Sequence, residues 1–182
     1  IEWFDRHLGL MLAELEAIGE LDNTLIVVTS DNGFPFPRGK ANLYDASNRV
    51  PLAMRWGNEV TGGRIVEDFI NLNDLAPTFL EVADLRPLPE MTAKSLMKVL
   101  KSEKSGLVDP TRDRVYYGRE RHSHARMDHV GYPGRAVRTR EYLYIRNFTP
   151  ERWPAGDPPI YGDIDDGPTL RYMVAHKDHE DV

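Results

Sequence analysis

Apolar and polar residues alternate at a helical spacing in the first stretch of the chain. Apolar side chains recur every three or four positions over residues 1–18, at Phe4, Leu8, Met11, Leu12, Leu15 and Ile18. This spacing predicts a helix with one buried stripe, which Gly19 would end. The apolar run over residues 25–28 is short, continuous and rich in β-branched side chains, which predicts a strand covered on both faces. A helix followed by such a strand is typical of an α/β sheet.

The regular spacing of apolar residues stops after this strand and resumes near residue 51. Residues 33–50 contain several prolines and glycines without a regular period, so we expect a loop. Residues 51–56 predict a second strand, opened by a proline that could not lie in the middle of a ladder. Asn73-Asp74 is a candidate N-cap for a helix that runs through Val82, and another short helix is predicted over residues 93–101.

The sequence changes in character near residue 106. Short alternating segments joined by turns predict antiparallel strands over residues 114–117, 135–138 and 142–145. The tail from Arg152 is rich in proline, glycine and aspartate, and we expect it to wrap the surface with little regular structure. The chain is therefore predicted to have an α/β half over residues 1–105 and a small antiparallel subdomain with an irregular tail over residues 106–182.

Composition narrows the class of protein. The apolar fraction of 41% and the charged fraction of 29% are ordinary for a globular chain of 182 residues, and no apolar run is as long as a membrane span. The formal net charge of −6 argues against nonspecific nucleic-acid binding, which needs a basic surface. The absence of cysteine excludes disulfides, thiolate metal sites and a cysteine nucleophile. Because the chain begins at Ile1 inside a predicted helix, we expect it to be part of a longer protein.

Candidate chemistry lies at the tip of the first predicted strand, in Asp31, Asn32 and Gly33. Ligands of open α/β sheets gather at the carboxyl ends of the strands. A carboxylate beside an amide carbonyl offers hard oxygen ligands, which suit calcium or magnesium better than zinc. Gly33 would let the backbone turn away without a side chain crowding the ion. The alternative is that the three residues only form a tight turn, a role for which they are also favoured.

Lys40 follows a proline-stiffened loop. Its ammonium could return to the same crevice and hold an anion as a point charge. A metal ion and a lysine that converge on one oxyanion would suit phosphoryl or sulfuryl transfer. The alternative is a solvated surface lysine.

Arginine and histidine residues are concentrated in the segment after the strand predicted over residues 114–117. The segment contains Arg119, Glu120, Arg121, His122, Ser123 and His124, and then Arg126 and His129. These residues could bind the carboxylates and sulfates of an acidic sugar, with Arg119, Glu120 and His122 as candidate substrate contacts. A histidine here could also protonate a leaving amine. Alternatively, the segment is a solvated edge strand; a zinc site at His122 and His124 is disfavoured because nothing acidic or thiolate completes the ligand set.

Four segments carry a resemblance to a known family: NTLIVVTSDNG, GKANLYDASNRVPLAMRWG, NLNDLAPTFLEVA and MTAKSLMKVL. In order and spacing they resemble the C-terminal half of the catalytic domain of the sulfatases. The form SDNGFPFPRGKANLYD looks closest to the heparan N-sulfatase (sulfamidase) branch. GYPGRAVRTREYLYIRNFTPERWPAGDP is similar to the C-terminal subdomain of bacterial members. The resemblance covers nearly the whole chain and implies an α/β fold with an alkaline-phosphatase-like sheet.

The resemblance implies roles for individual residues. Asp31 and Asn32 match the family's second pair of metal ligands, usually for calcium, with magnesium possible. Lys40 matches the basic residue that contacts the sulfate. The segment from Asp45 to Pro51 lies where many sulfatases have Glu-Gly-Gly-x-Arg-x-Pro, but it lacks the two glycines.

The resemblance also implies parts that this sequence lacks. Sulfatases use a formylglycine, made from the first residue of a Cys/Ser-x-Pro-x-Arg motif, and an N-terminal Asp-Asp pair that completes the metal site. Neither motif occurs in the chain. We therefore expect it to supply part of an active site, to need the N-terminal half of the same protein as its partner, and to turn over nothing alone.

The activity implied by the resemblance is hydrolysis of sulfate from a sulfated sugar, the N-sulfoglucosamine of heparan-type glycans, in an exported or lysosomal protein. An O-sulfatase of the same family is one alternative. A phosphodiesterase or phosphomutase relative is another, although these usually need two metals and extra histidine ligands, and the loop after Asp31 has no such histidine. A non-catalytic module that binds anionic glycans is the third.

Overall fold

The structure is a computed structural model that describes residues 1–178. These residues form two compact units. Unit 1 combines Ile1–Val28 with Leu52–Asp113, and unit 2 combines Thr29–Pro51 with the chain from Arg114 onward. The predicted division at residues 105–106 concerns the domains of a longer protein and stays a prediction.

Ten helices and strands make up the regular secondary structure of the described residues. In chain order they are α1 (Glu2–Ala17), β1 (Leu25–Thr29), α2 (Asp45–Asn48), β2 (Leu52–Trp56), α3 (Leu75–Val82), α4 (Met97–Leu100), β3 (Arg114–Arg119), β4 (Gly134–Thr139), β5 (Leu143–Asn147) and α5 (Pro168–Ala175). The helix predicted over residues 1–18 and all five predicted strands are confirmed, with boundaries that shift by one or two residues.

Unit 1 holds the paired strands β1 and β2 together with α1, α3 and α4. Its most buried apolar side chains are Leu96, Val99 and Leu100, in and beside α4. Thr78 of α3 is completely buried, and its hydroxyl accepts a hydrogen bond from the Leu96 amide at 2.8 Å. The same hydroxyl donates to the Asp74 carbonyl at 2.6 Å, so one small polar side chain links α3 to α4.

Asp74 is the N-cap residue of α3, within the predicted cap, but its side chain makes no capping hydrogen bond to α3. A short 3-10 turn over Leu72–Asp74 precedes α3, and Asn71 is its N-cap. The Asn71 side chain accepts from the Asn73 amide at 3.2 Å, while Asp74 Oδ2 accepts from the Asn71 amide at 3.2 Å. This reciprocal capping box satisfies two amides at the start of the turn, which a cap at Asn73 would leave without partners.

The predicted burial of α1 is wrong for the described residues. No residue of α1 is buried. The large apolar side chains exposed in or beside it are Ile1, Trp3, Phe4, Leu10, Met11 and Ile18. β1 is half-buried and not covered on both faces. Leu8, Leu12 and Leu15 are half-buried, so residues 1–178 cover only part of the stripe that the apolar spacing predicts.

Unit 2 is built on the antiparallel sheet β3-β4-β5. In this sheet Tyr117 pairs with Ala136, which pairs with Ile145, and the Thr139 amide closes the predicted hairpin on the Tyr142 carbonyl at 2.9 Å. Leu43, from the long loop before β2, is buried in the same unit, and its carbonyl accepts from the Tyr117 hydroxyl at 3.2 Å. The predicted loop is thus anchored to the sheet.

The tail is more ordered than the sequence predicts. Residues Pro168–Ala175 form α5, and Asp163 is almost completely buried, with 1% of its surface exposed. The prediction of a surface tail with little regular structure is therefore wrong for these residues; the last four positions of that tail, 179–182, lie outside the described residues. Within residues 1–178, no helix combines the length and the apolarity that crossing a bilayer would require.

Candidate functional site

Asp31 and Asn32 belong to unit 2 and lie just beyond the end of β1, with Ser30 between. The backbone here is held by the Ser30 hydroxyl, which donates to the Asn32 carbonyl at 2.8 Å, and by the Gly33 amide, which donates to Ser47 at 2.9 Å. Asp31 is exposed and Asn32 is half-buried, and neither side chain hydrogen-bonds to another of the described residues. The backbone is thus held while the side-chain oxygens stay uncommitted.

Gly33 is required by the close approach of the loop to α2. A Cβ atom at this position would lie 1.9 Å from the Ala46 carbonyl oxygen. Any other residue would push the two segments apart, so packing against α2 requires glycine at this position. The turn and the ligand interpretations of Asp31-Asn32-Gly33 both stay predictions.

The oxygen atoms of Asp31 and Asn32 are ligands of the type that a hard divalent cation prefers. They would fill only part of its coordination sphere. Calcium takes roughly six to eight oxygen ligands, and a carboxylate with an amide oxygen supplies only some of them. Across residues 1–178 no group of three or more histidine, aspartate or glutamate side chains could hold a metal ion. The metal assignment of Asp31 and Asn32 stays a prediction.

The loop around Lys40 has a constrained backbone. The Lys40 amide donates to the Phe34 carbonyl at 2.9 Å, and the flanking residues Arg38 and Ala41 both have positive φ, at 62° and 64°. Non-glycine residues in this region of φ cost free energy and are concentrated at functional sites. The Lys40 ammonium lies 3.4 Å from Asp165 Oδ1 and its side chain is 31% exposed. Lys40 is therefore partly sheltered and loosely paired, and not simply a solvated lysine.

Asp45 holds the same loop onto the sheet. Arg138 of β4 binds it with two nitrogens, Nε to Oδ1 and Nη2 to Oδ2, both at 3.0 Å. The hydrogen bonds that Arg138 donates to Asp45 raise the pKa of Arg138, whereas burial, with the Asp45 charge second, raises the pKa of Tyr117. In this structure Asp45 has a structural role as an ion-pair partner.

The basic segment after β3 is organised by one aspartate. Asp163 Oδ2 accepts from Arg119 Nη2 at 3.1 Å and from Arg126 Nη2 at 3.0 Å, and its Oδ1 lies 3.1 Å from His122 Nδ1. The Arg126 side chain is 3% exposed, that of Arg119 11% and that of His122 33%. We call these four residues the Asp163 cluster. Arg119 and His122, both predicted from sequence, thus share one carboxylate.

Two guanidinium nitrogens of this cluster are buried without a hydrogen bond, Arg119 Nη1 and Arg126 Nη1. Arg126 Nη1 lies 3.6 Å from Asp157 Oδ1, which is an ion-pair distance but too long for a hydrogen bond. The Tyr132 ring lies against both guanidinium groups, with its centroid 5.1 Å from Arg119 Cζ and 4.6 Å from Arg126 Cζ. A cavity of about 480 Å³ adjoins Arg126 and Asp157. The cluster therefore keeps unused donors beside an open volume.

The tail brings two predicted site regions together. Asp165 contacts Lys40, and Asp163 contacts Arg119 and His122. Two residues of chain span no more than about 7 Å, so the two aspartates hold Lys40 and the cluster as neighbours. No contact of this kind links Asp31 and Asn32 to the Asp163 cluster among the described residues.

Glu120 does not share the ion-pair partners of the other predicted substrate contacts. It is exposed and forms an ion pair with Arg135 across the sheet. Its side chain makes no bond to Asp163 or Lys40 among the contacts of the described residues. Its predicted role in substrate binding stays a prediction.

Sequence reasoning missed Asp163 and Arg126. The two arginines of one short segment, Arg119 and Arg126, were a sequence signal for an acidic partner, because buried arginines need one. Asp163 lies in the run Asp163 to Asp166, which was interpreted as surface tail because of its neighbouring glycines and prolines. Nothing local distinguishes its first member from the other acidic residues.

Comparison with known proteins places this geometry in a family. The family described as N-sulphoglucosamine sulphohydrolase, C-terminal, matches residues 38–159. An ulvan-active sulfatase of Formosa agariphila is 30% identical over 148 residues, which cover 81% of this chain and 23% of that protein. The N-sulphoglucosamine sulphohydrolase of Homo sapiens is 32% identical over 161 residues, which cover 79% of this chain and 29% of that protein.

A solved structure of a protein in complex with its substrate D-glucosamine-2-N,6-O-disulfate matches 96% of this chain and 36% of its own, with a TM-score of 0.62 and 24% identity. This likeness concerns the fold alone and confirms the predicted α/β, alkaline-phosphatase-like class. The chain spans about a quarter of the length of the curated relatives it matches, 23% and 29%. Since the matched family extends from the Lys40 loop through β5 and beyond, this chain belongs to the sulfatases, in the C-terminal region described for N-sulphoglucosamine sulphohydrolases.

Proposed function

We propose that this chain is the C-terminal part of an enzyme that hydrolyses sulfate from a sulfated saccharide, with the N-sulfoglucosamine of heparan-type glycans as substrate. One observation carries the proposal. Two aspartates of one short tail segment pair with predicted site residues, Asp165 with Lys40 and Asp163 with Arg119 and His122, within a chain whose family is the sulfatases. These three side chains are the cationic or proton-carrying groups that an anionic sugar requires.

Lys40 would neutralise the charge that develops on the sulfate oxygens. Its ammonium is partly sheltered from solvent, where a charge interaction is stronger than in bulk water, and its contact with Asp165 is long at 3.4 Å. A sulfate group carries charge of the same sign as Asp165 and can compete for Lys40. Arg119 would bind a further anionic group of the sugar.

Asp31 and Asn32 would hold a calcium ion, with magnesium as the alternative, through their uncommitted side-chain oxygens. When bound, this ion supplies positive charge to polarise the sulfate group. A formylglycine from the N-terminal part of the protein would supply the nucleophilic oxygen. An exported or lysosomal location stays an expectation from the family resemblance.

The exposed apolar side chains of α1 support the view that this chain works with a second part of the same protein. Trp3 is 73% exposed, and Leu10 and Met11 are more than half exposed. Large apolar side chains exposed together on one helix favour a surface that another part of the protein covers. We therefore expect the 182-residue chain to be inactive alone.

The bond that is hydrolysed could be the S–N bond of a sulfamate or the S–O bond of a sulfate ester. The human relative supports the sulfamate, because its name specifies N-sulphoglucosamine. The substrate of the solved structure carries both an N-sulfate and a 6-O-sulfate, and the relative from Formosa agariphila acts on ulvan, so a sulfate ester is the second candidate.

The test uses the product of the natural gene, extended upstream of Ile1 and coexpressed with a formylglycine-generating enzyme. Sulfate release is measured from N-sulfoglucosamine and from 6-O-sulfated N-acetylglucosamine, with calcium, with magnesium and with a chelator. Release from the sulfamate that requires a divalent cation is the expected result. Release from the ester alone would identify a sulfate ester, and not the sulfamate, as the substrate. No release from either would overturn the enzymatic function in favour of a glycan-binding module. The 182-residue chain alone is the control and should release nothing.

A further inference from the structure

We propose that the exposed face of the sheet β3-β4-β5 is a second, non-catalytic binding site for sulfated polysaccharide. We call this surface face A, and its members are Arg114, Tyr116 and Gly118 of β3, Arg135, Val137 and Thr139 of β4, and Tyr144 and Arg146 of β5. The inference rests on the proposed function and goes beyond it, because it gives the polymer a site that a single sugar does not use.

The strand register places two tyrosines on face A. Tyr116 pairs with Val137, which pairs with Tyr144, and residues that pair in an antiparallel sheet lie on the same face. Neighbouring strands lie about 4.8 Å apart, so the two tyrosines stand about 10 Å apart across Val137. Tyr116 is 65% exposed and Tyr144 is 64% exposed. The two tyrosines therefore form an open aromatic platform.

Arginines lie beside this platform. Two residues further along the strands, Arg135 pairs in register with Arg146, opposite Gly118. A Cβ atom at Gly118 would lie 2.8 Å from Arg135 Cδ, so a larger residue there would displace the Arg135 side chain. The Phe148 ring lies 4.8 Å from Arg146 Cζ and 5.9 Å from Arg135 Cζ. Contact with this ring orients both guanidinium groups and leaves their N–H donors available to a ligand.

The charge of face A is of one sign. No position of this face within the three strands is acidic, although the chain has a net charge of −6. Glu120, which follows β3, pairs with Arg135, but the described residues supply no acidic partner for Arg146. Basic groups are thus concentrated on one surface of an acidic chain, which is complementary to a polyanion.

The side chains of face A favour a hydrated ligand over a packed protein layer. A sheet face that packs on another layer is mainly aliphatic, and the opposite face of this sheet has that character, with Val115, Ala136 and Ile145 buried or half-buried. Face A combines tyrosine rings with guanidinium groups. A tyrosine ring packs against the apolar side of a sugar while its hydroxyl stays in water, and arginine binds carboxylate and sulfate oxygens with paired donors. A sulfated polysaccharide carries both kinds of group.

Face A is distinct from the predicted substrate contacts. Arg119 follows Gly118 in β3, and successive side chains of a strand point to opposite faces, so Arg119 lies on the other side of the sheet, where it binds Asp163. One sugar bound at Arg119 does not reach face A. Face A would therefore hold another stretch of the same polymer and raise the local concentration of its cleavable groups.

The experiment compares a polymer with a single sugar in the longer enzyme. The double variant Tyr144→Ala/Arg146→Ala is assayed on N-sulfoglucosamine and on long heparan-type chains. Both side chains are exposed, so we expect the variant to fold. KM for the polymer should rise about 3- to 10-fold with kcat unchanged, because only binding away from the reacting bond is lost. Both constants for the single sugar should stay within about twofold of wild type.

A matched control removes the same two types of side chain elsewhere. Arg86→Ala/Tyr172→Ala changes an exposed arginine of unit 1 and an exposed tyrosine of α5, and it should leave both substrates unaffected. Elution from immobilised heparin is a second readout that needs no activity. The wild type and the control should elute at a higher salt concentration than the Tyr144→Ala/Arg146→Ala variant, because salt screens the arginine contact.

Four results would overturn the inference. Equal polymer KM values in the double variant and the wild type would show that face A does not bind the chain, and equal rises for polymer and single sugar would place the effect at the active site. A lower urea midpoint than the control's would show that another part of the protein covers face A. Equal displacement of bound heparin by double-stranded DNA would remove the specificity for a sugar.

The proposed function can fail separately. Wild-type enzyme that releases no sulfate from either substrate would overturn that function. Elution from immobilised heparin would still decide whether Tyr144 and Arg146 bind a sulfated polysaccharide.

Discussion

Each compact unit contains a buried aspartate that binds an arginine, but the remaining partners differ. In unit 1, Asp74 Oδ2 binds Arg112 Nη1 at 2.6 Å, and Oδ1 accepts from the backbone amide of Lys94 at 3.0 Å. Arg112 in turn donates to the Lys94 carbonyl at 2.7 Å. In unit 2, the hydrogen bonds of the Asp163 carboxylate all go to side chains.

The difference indicates which carboxylate is structural. Asp74 joins backbone groups of separate segments, and the Arg112 beside it is satisfied by carbonyls, so neither side chain has capacity left for a ligand. The Asp163 cluster leaves His122 Nε2 and two guanidinium nitrogens without hydrogen bonds. A buried aspartate is therefore not by itself a sign of function; spare donors and acceptors on its partners are.

The largest effect expected in unit 2 comes from the strand tip. Asp31→Ala in the longer enzyme should reduce cation-dependent sulfate release by at least about 10³-fold, because a metal ion contributes several kcal/mol of charge stabilisation. Asp31 is exposed and its side chain makes no hydrogen bond to another described residue, so the free energy of unfolding should change by less than about 0.5 kcal/mol. Rates at several calcium concentrations and urea unfolding check both parts.

Asp22→Ala is the matched control for Asp31→Ala, since Asp22 is an exposed aspartate of unit 1 that pairs with Arg55 on the surface. It should leave sulfate release unchanged. Full activity of Asp31→Ala would contradict the metal assignment, and a large loss of stability would show that Asp31 supports the fold.

For Asp74 in unit 1 we expect the reverse of Asp31, a loss of stability without a loss of activity. Asp74→Asn should lower the free energy of unfolding by about 3–5 kcal/mol, because it leaves Arg112 buried without its charge partner. The activity per folded molecule should stay unchanged. Urea unfolding followed by circular dichroism, with activity normalised to the folded fraction, measures both. A stable Asp74→Asn enzyme with reduced kcat would remove the distinction between the two buried aspartates.

The elements of the fold that the sequence predicts well are local in the chain. The site hypothesis is local too, since Asp31, Asn32 and Lys40 lie within ten residues, and it stays a prediction. The strands β3 to β5 are neighbours in sequence, and their alternation predicts an antiparallel sheet. Pro168 at the start of α5 was a helix signal that the acidic tail obscured.

The features that the sequence misses depend on distant contacts. Asp163 lies 37 to 44 residues from its partners, and no pattern within its own segment records that pairing. The exposure of α1 has the same cause, because the apolar spacing predicts a shared face and says nothing about what covers it. A hypothesis about chemistry can be formed from residues that are adjacent in the chain, whereas contacts assembled by folding leave no such local signal.

The smallest expected effect is the response of each unit to acid. In unit 1 the hydrogen bond from Lys98, with further hydrogen bonds from Thr111, lowers the pKa of Asp109 from 3.8 to about 2. Folding therefore favours the ionised carboxylate, so this group stabilises the protein above its unfolded pKa of 3.8, and the stabilisation is lost as the pH falls toward about 2. In unit 2 the hydrogen bond from Arg171 also lowers the pKa of Asp166, but both partners are exposed.

Solvent screens the exposed pair of Asp166 more strongly than Asp109, whose side chain is 11% exposed. Asp109→Asn should therefore flatten the pH dependence of unfolding between about pH 4 and pH 2 more than Asp166→Asn does. Urea unfolding at a series of pH values, on both variants and the wild type, measures this slope. A wild-type slope in both variants would mean that neither pair survives in solution. A larger change in Asp166→Asn would make unit 2 the acid-sensitive part, and with it the segment that carries Asp163.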